Sequence, residues 1–80
     1  MWRSSIDPSY ALIRSQLRRM RRRAGLTQVE LSLVLGFSHS EISKIETGER
    51  YVDMPLYFRW CRACEVDIMA SVQRLLDDGA

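Results

Sequence analysis

The chain has 80 residues, 46% of them hydrophobic, and a formal charge of +2 at pH 7, which allows one small core and no second domain. No stretch approaches the roughly 18 uninterrupted apolar residues of a membrane span, and the opening MWRSSIDPSY has no apolar signal-peptide core, so a cytoplasmic protein with no membrane partner is expected. The charge is uneven along the chain: Arg3, Arg14, Arg18, Arg19, Arg21, Arg22 and Arg23 are seven of twelve basic residues, and before Glu30 the only acid is Asp7.

Such a basic run is either a solvated helix face or a nucleic-acid contact, and it needs a second signal to become the latter. Periodicity predicts helices throughout, and no alternation marks a strand. After a short N-terminal arm, 1–7, Asp7 and Pro8 read as a cap and first helical residue, and Ile13, Leu17, Met20 and Ala24 follow at helical spacing until Gly25. Thr27 and Glu30 have capping-box spacing and start a second helix. Ser38 and Glu41 repeat that spacing for a third, with Gly36 supplying the turn between them. Leu31 and Leu35 on one helix, and Ile42 and Ile45 on the other, are the candidate shared core. The two short helices and their turn occupy 27–47.

Gly48 ends the third helix, Asp53 is a cap for a fourth with Pro55 in its first turn, and Asp67 caps a fifth; these last two span about 54–77. The fourth carries Leu56, Tyr57, Trp60, Cys61, Ala63 and Cys64 over more than one face, an apolar surplus for so small a core. Ile68, Met69, Val72, Leu75 and Leu76 give the fifth its apolar rhythm. Cys61 and Cys64 with the single His39 do not complete a four-ligand zinc site without a carboxylate, so the two cysteines read as core residues and neither metal nor cofactor is expected. No nucleophile, base and orienting group are grouped, and an enzyme is not expected.

A capped helix, a glycine turn and a second capped helix at this spacing form a helix-turn-helix pattern. Beyond that, RRMRRRAGLTQVELSLVLGFSHSEISKIETGER resembles the Cro and phage-repressor, or lambda-repressor-like (XRE-like), helix-turn-helix family. That family's pattern is an Arg-rich first helix, then G-L-T-Q-x-E-L-A-x-x-L-G-[apolar]-S, then a helix ending I-S-x-[IL]-E-x-G-x-R. The likeness runs from about Arg14 to Arg50 and continues weakly through the last two helices. It implies an all-α, compact five-helix lambda-repressor-like DNA-binding domain with a central helix-turn-helix.

The resemblance also implies residue roles. His39, Ser40, Ser43 and Lys44 stand where family members reach base edges, and their donors and acceptors suit that task. For Ser43 and Lys44 the alternative is ordinary solvent exposure. Gln28 and Ser38 correspond to phosphate anchors, Ser38 serving equally as a plain N-cap. Arg18, Arg22, Arg23, Arg50 and Tyr51 are further phosphate candidates, and Arg21 with Glu46 matches a structural salt bridge between the first and third helices. The family's pattern fails at Leu33 and Val34, usually charged positions, at Val52, often proline, and at Glu65, usually glycine. Cys61 and Cys64 replace alanine and leucine.

The expected partner is double-stranded DNA, bound by a homodimeric repressor of phage or mobile-element type acting by promoter occlusion. Its dimer interface is placed at Tyr57, Trp60, Leu75 and Leu76. The rival is an antitoxin-type or other protein-interaction module engaging a partner through Leu33 and Val34. His39 stays open between base edge and phosphate, and binding that strengthened as pH fell through the ordinary imidazole range would point to a protonated ring.

Overall fold

A computed structural model describes residues 8–80 of the chain; the arm, with Arg3 and the expected Asp7 cap, lies outside them. Within this range are α1 (Pro8–Arg23), α2 (Gln28–Leu35), α3 (His39–Thr47), α4 (Met54–Ala63) and α5 (Ile68–Asp77), with no strand among the described residues. None of these helices is long and apolar enough to cross a membrane.

The helix starts follow local side-chain chemistry. Thr27 Oγ1 accepts the Glu30 N–H at 3.0 Å while the Glu30 carboxylate accepts the Thr27 N–H at 2.9 Å, a complete capping box. The Thr27 backbone N–H, and after it the Thr27 hydroxyl, hold the Glu30 carboxyl below its ordinary pKa. Asp53 and Asp67 accept from Leu56 and Ala70 N–H at 2.9 and 2.8 Å. At α3 only half the expected box forms. Ser38 Oγ accepts from Glu41 N–H at 3.3 Å, but the Glu41 carboxylate pairs with Arg50 instead of returning to the cap.

The helix ends share one device, an N–H returning to the carbonyl five residues back, from Leu26 to Arg21, Phe37 to Ser32, Glu49 to Lys44 and Val66 to Cys61. The residue before each donor must be left-handed. Gly36 (φ 75°) and Gly48 (φ 87°) meet that need at the ends of α2 and α3, whereas Glu65 meets it at the end of α4 with φ 57°. The α4–α5 corner therefore takes the same geometry as the chain's glycine corners, on a side chain that resists it.

The core gathers Leu17 and Met20 of α1, Leu31 and Leu35 of α2, Ile42 and Ile45 of α3, Leu56, Tyr57, Trp60 and Cys61 of α4, Cys64 just after it, and Leu75 of α5. Ser32, almost buried, donates to the Val29 carbonyl and leaves α2 narrow where α3 packs on it. Three of the four expected dimer-interface residues are corrected by this packing. Trp60 is fully buried, its Nε1–H donating to the Leu17 carbonyl at 3.0 Å. The Tyr57 hydroxyl donates to Gln16 Oε1 at 2.7 Å, and Gln16 Nε2 donates onward to the Ser71 carbonyl at 2.7 Å, tying α4 to α1 and α1 to α5. Burial pushes the Tyr57 phenol up to about 12. With Leu75 also inside, the apolar surplus of α4 is absorbed by the chain's own core, and only Leu76 of the four remains exposed.

Both cysteines are free and lie in the core, and burial raises the Cys61 thiol and pushes Cys64 up to about 11. No group of three or more metal-ligating side chains occurs among the described residues.

Candidate nucleic-acid interface

The 3.6-residue period divides α3 into two faces. Ile42, Ile45 and Glu46 point inward, while His39, Ser40 and Lys44 are exposed and Ser43 is half-buried between them. Thr47 shares the outer face, its hydroxyl donating to the Ser43 carbonyl at 3.0 Å. Sequence reasoning passed over Thr47, although its spacing of four from Ser43 was the available signal.

Behind this face sits a polar cluster in an otherwise apolar core. The Glu46 side chain is wholly buried and receives Arg21 twice, Nε to Oε2 at 2.6 Å and Nη2 to Oε1 at 3.0 Å. The third arm of the same guanidinium donates to the Leu26 carbonyl at 2.9 Å, in the turn that leads into α2. Burial alone would raise the Glu46 carboxyl; hydrogen bonds from Arg21 and Gln28, with the nearby charges of Arg21 and Arg18, outweigh it and hold the group below its ordinary value. The hydrogen bond to Glu46 in turn raises Arg21, against its own desolvation. α1, the α1–α2 turn and α3 are thereby locked at one point.

Gln28 extends the cluster outward. Its Nε2 donates to Glu46 Oε1 at 3.1 Å, and its Oε1 lies 3.0 Å from His39 Nε2. An amide expected to meet a phosphate thus uses both ends within the protein, keeping one N–H and one lone pair for a further contact. Ser38 keeps its cap role while its hydroxyl lies 3.1 Å from that of Ser40.

The arginines separate by face. Arg18 turns to α3, with Nε 3.6 Å from Glu46 Oε1 and Nη2 3.4 Å from the Glu46 carbonyl. Arg14 takes the same side and packs on Gly48, where a Cβ would meet its guanidinium at 2.9 Å. Arg22 is exposed, and no other described side chain pairs with it. Arg23 belongs to the opposite face: with Arg19 and Arg74 it rims a cleft of about 230 Å³ between α1 and α5, away from the arginines that turn to α3. Arg50 pairs with Glu41 and stacks on the Phe37 ring at 4.8 Å, fixing the exit from α3. Tyr51 is half-exposed and meets Tyr10 edge to face with centroids 5.9 Å apart. Arg59, not singled out from the sequence, donates to the Leu35 carbonyl at the end of α2 and also stacks on Phe37, 5.3 Å from the ring centroid.

The expected protein-contact residues are on the surface. Leu33 is 77% and Val34 60% exposed, and Val29, one turn before Leu33, is 50% exposed. On α5, Met69 (79%) and Leu76 (58%) are exposed seven residues apart and so share a face.

Residues 13–75 match the family model of a helix-turn-helix domain. Among solved structures, an XRE-family like protein from Pseudomonas syringae pv. tomato str. DC3000 is 32% identical with a TM-score of 0.82, over 90% of this chain and 88% of that one. The clp gene regulator ClgR from C. glutamicum has the same fold at 22% identity and a TM-score of 0.78, over 92% of this chain and 96% of that one. No curated protein matches the chain.

Proposed function

The chain belongs to the XRE-like helix-turn-helix family of DNA-binding transcriptional regulators, and on that premise we propose that it is a homodimeric repressor that occludes a promoter by binding a two-fold operator. The observation that carries this reading is the outer face of α3. Four polar or charged side chains, His39, Ser40, Ser43 and Lys44, project from a helix whose inner face is anchored by a buried, multiply hydrogen-bonded carboxylate. A base-reading helix must hold its side chains at fixed positions in the major groove, and the Glu46 cluster supports that rigidity. Arg22 is a candidate for a phosphate contact with no competing partner among the described residues, and Gln28 and Ser38 retain capacity for others.

One such domain offers a small footprint, and a two-fold pair reading half-sites about one helical turn apart reaches useful affinity. The face of α5 carrying Met69, Val72 and Leu76 is the proposed contact between copies, in place of the buried Tyr57, Trp60 and Leu75. A second reading, an antitoxin-type or other protein-interaction module, is favoured by the exposure of Val29, Leu33 and Val34 along α2.

Selection of bound sequences from a random duplex library, followed by binding of the winners at several salt concentrations, tests the first reading. A two-fold motif with a steep salt dependence is the expected result. Failure of any sequence to outcompete random DNA would refute it.

A further inference from the structure

The buried carboxylate fixes more than the position of α3. Glu46 is ionised by Arg21 and therefore only accepts hydrogen bonds, so the Gln28 end that meets it is the amide nitrogen. The other end of Gln28, facing His39 Nε2 at 3.0 Å, is then the carbonyl oxygen, which also only accepts. The bond between them exists only if His39 Nε2 carries the hydrogen. A chain of one-way donors and acceptors thus runs from the core of the domain to the first residue of its reading helix.

We infer that Gln28 holds His39 as its Nε2–H form with Nδ1 turned to the DNA, making His39 a base-reading residue whose preference reverses between its neutral and protonated states. This rests on the DNA-reading role of α3 proposed above and goes further, naming the atom presented and the bases it meets. In the neutral ring Nδ1 is an acceptor, and its partners in the major groove are amino groups, N6 of adenine or N4 of cytosine. In the protonated ring Nδ1 becomes a donor, matched to the adjacent O6 and N7 of guanine. Nε2 keeps its hydrogen in both states, so the link to Gln28 survives the change and the ring stays in place. Only the polarity of the outward atom changes.

The charged and titratable groups around the ring can be named. From α2 it faces the neutral Gln28, with the ionised Glu46 behind that amide already balanced by Arg21 and Arg18. At the start of α3 and along it stand the neutral hydroxyls of Ser38, Ser40 and Ser43, Glu41 paired with Arg50, and the exposed cation Lys44. Gln28 is a positioning residue: it acts through His39, and its removal frees the tautomer without removing the ring.

The test has two arms. Nitrogen NMR of the imidazole in the free, full-length protein reads the tautomer directly. Above the imidazole range, the unchanged protein is expected to show His39 with its hydrogen on Nε2, and Gln28→Ala a mixture of both tautomers. In the second arm, duplexes carrying each base in turn at every position of the selected operator compete for the protein at about pH 8 and about pH 5.5, on either side of the ordinary imidazole range. One position per half-site is expected to favour adenine or cytosine at the higher pH and guanine at the lower. Each preference should be about five- to tenfold, the scale of a single hydrogen bond. His39→Ala should flatten that position at both pH values.

An unchanged protein with as much Nδ1–H as Gln28→Ala would overturn the inference. So would an operator bound with the same base preferences at both pH values. Failure to select any operator would instead remove the regulator reading and the base preference with it, while the NMR spectrum would still decide the tautomer.

Discussion

Arg21 grips Glu46 with two nitrogens along one edge of the guanidinium, Nε and Nη2, at 2.6 and 3.0 Å, across 25 residues of sequence and inside the core. Removing one partner leaves the other charged, buried and unpaired, which costs about 3–5 kcal/mol. An 80-residue domain commands only about 4–12 kcal/mol in total. Arg21→Ala should therefore bring the protein close to unfolding, while Arg21→Met combined with Glu46→Leu should recover most of the loss. Urea denaturation of the single and double variants reads both. A double variant no more stable than the worse single one would show that the pair acts through something other than its charges.

The same pair sets an acid limit on stability. The folded Glu46 carboxyl lies below its ordinary value near 4.5, whereas the unfolded chain restores that value. Its contribution is fully present above the unfolded pKa and is lost as pH falls through the lower, folded one. Thermal unfolding of the unchanged protein and of Glu46→Gln should show a gap that is constant near neutrality and narrows only below about pH 4.5. A gap that narrowed between pH 6 and 8 would mean that another group governs it.

The caps at Thr27, Ser38, Asp53 and Asp67 are legible in the sequence because each acts within three residues of itself. The distribution of the α4 aromatics is not legible in that way. Tyr57 and Trp60 find their polar partners, Gln16 and the Leu17 carbonyl, 41 and 43 residues away in α1, and no local pattern announces this. An apolar surplus on α4 therefore reads as a surface for another molecule until α1 and α5 are laid against it. The partner of Glu41 is hidden for a similar reason: a glutamate three residues after a serine is a capping signal, but Arg50, brought back by the turn at Gly48, competes for the carboxylate and takes it. The outer face of α3 is readable because the family motif fixes its register, whereas the link that runs from His39 through Gln28 to Glu46 needs α2 laid against α3.

Glu65 has φ 57° at a corner whose counterparts after α1, α2 and α3 are glycines. A left-handed residue with a Cβ costs about 1–2 kcal/mol, and glycine removes that strain at an entropic cost of about 0.5–1 kcal/mol. Glu65→Gly is expected to stabilise the domain by about 0.5–1 kcal/mol, while Glu65→Val, adding a β-branch, should destabilise it. The shift in denaturation midpoint checks both signs.

Met69 and Leu76 give α5 an exposed apolar face that the chain's own core does not use. If two copies meet there, a charge on that face disrupts association and leaves folding intact. Leu76→Asp should yield a folded monomer by sedimentation, with an unchanged helical spectrum and weakened binding to a two-fold operator. Trp60→Ala, which empties a fully buried site, should instead unfold the domain, at a cost of about 3–5 kcal/mol. A Leu76→Asp protein that still sedimented as a dimer would place the interface elsewhere.

Lys44 and Arg22 are both exposed cations, but they stand on different parts of the proposed DNA surface. Lys44 rises from the outer face of α3 beside Ser40 and Ser43, where an ammonium donates to guanine O6 or N7 and so distinguishes base pairs. Arg22 ends α1, next to the turn into α2, where a guanidinium meets phosphate and adds salt dependence without sequence preference. Lys44→Ala is therefore expected to relax selection at one position per half-site, costing the preferred operator about 1–3 kcal/mol while leaving random DNA little changed. Arg22→Ala should weaken every duplex by a similar factor and reduce the slope of log K against log salt by about one. Binding isotherms of both variants on the selected operator, single-base variants and random duplex, each at several salt concentrations, separate the two effects. Equal losses on all duplexes for both variants would mean that Lys44 meets the backbone and leaves base reading to His39 and the serines of α3.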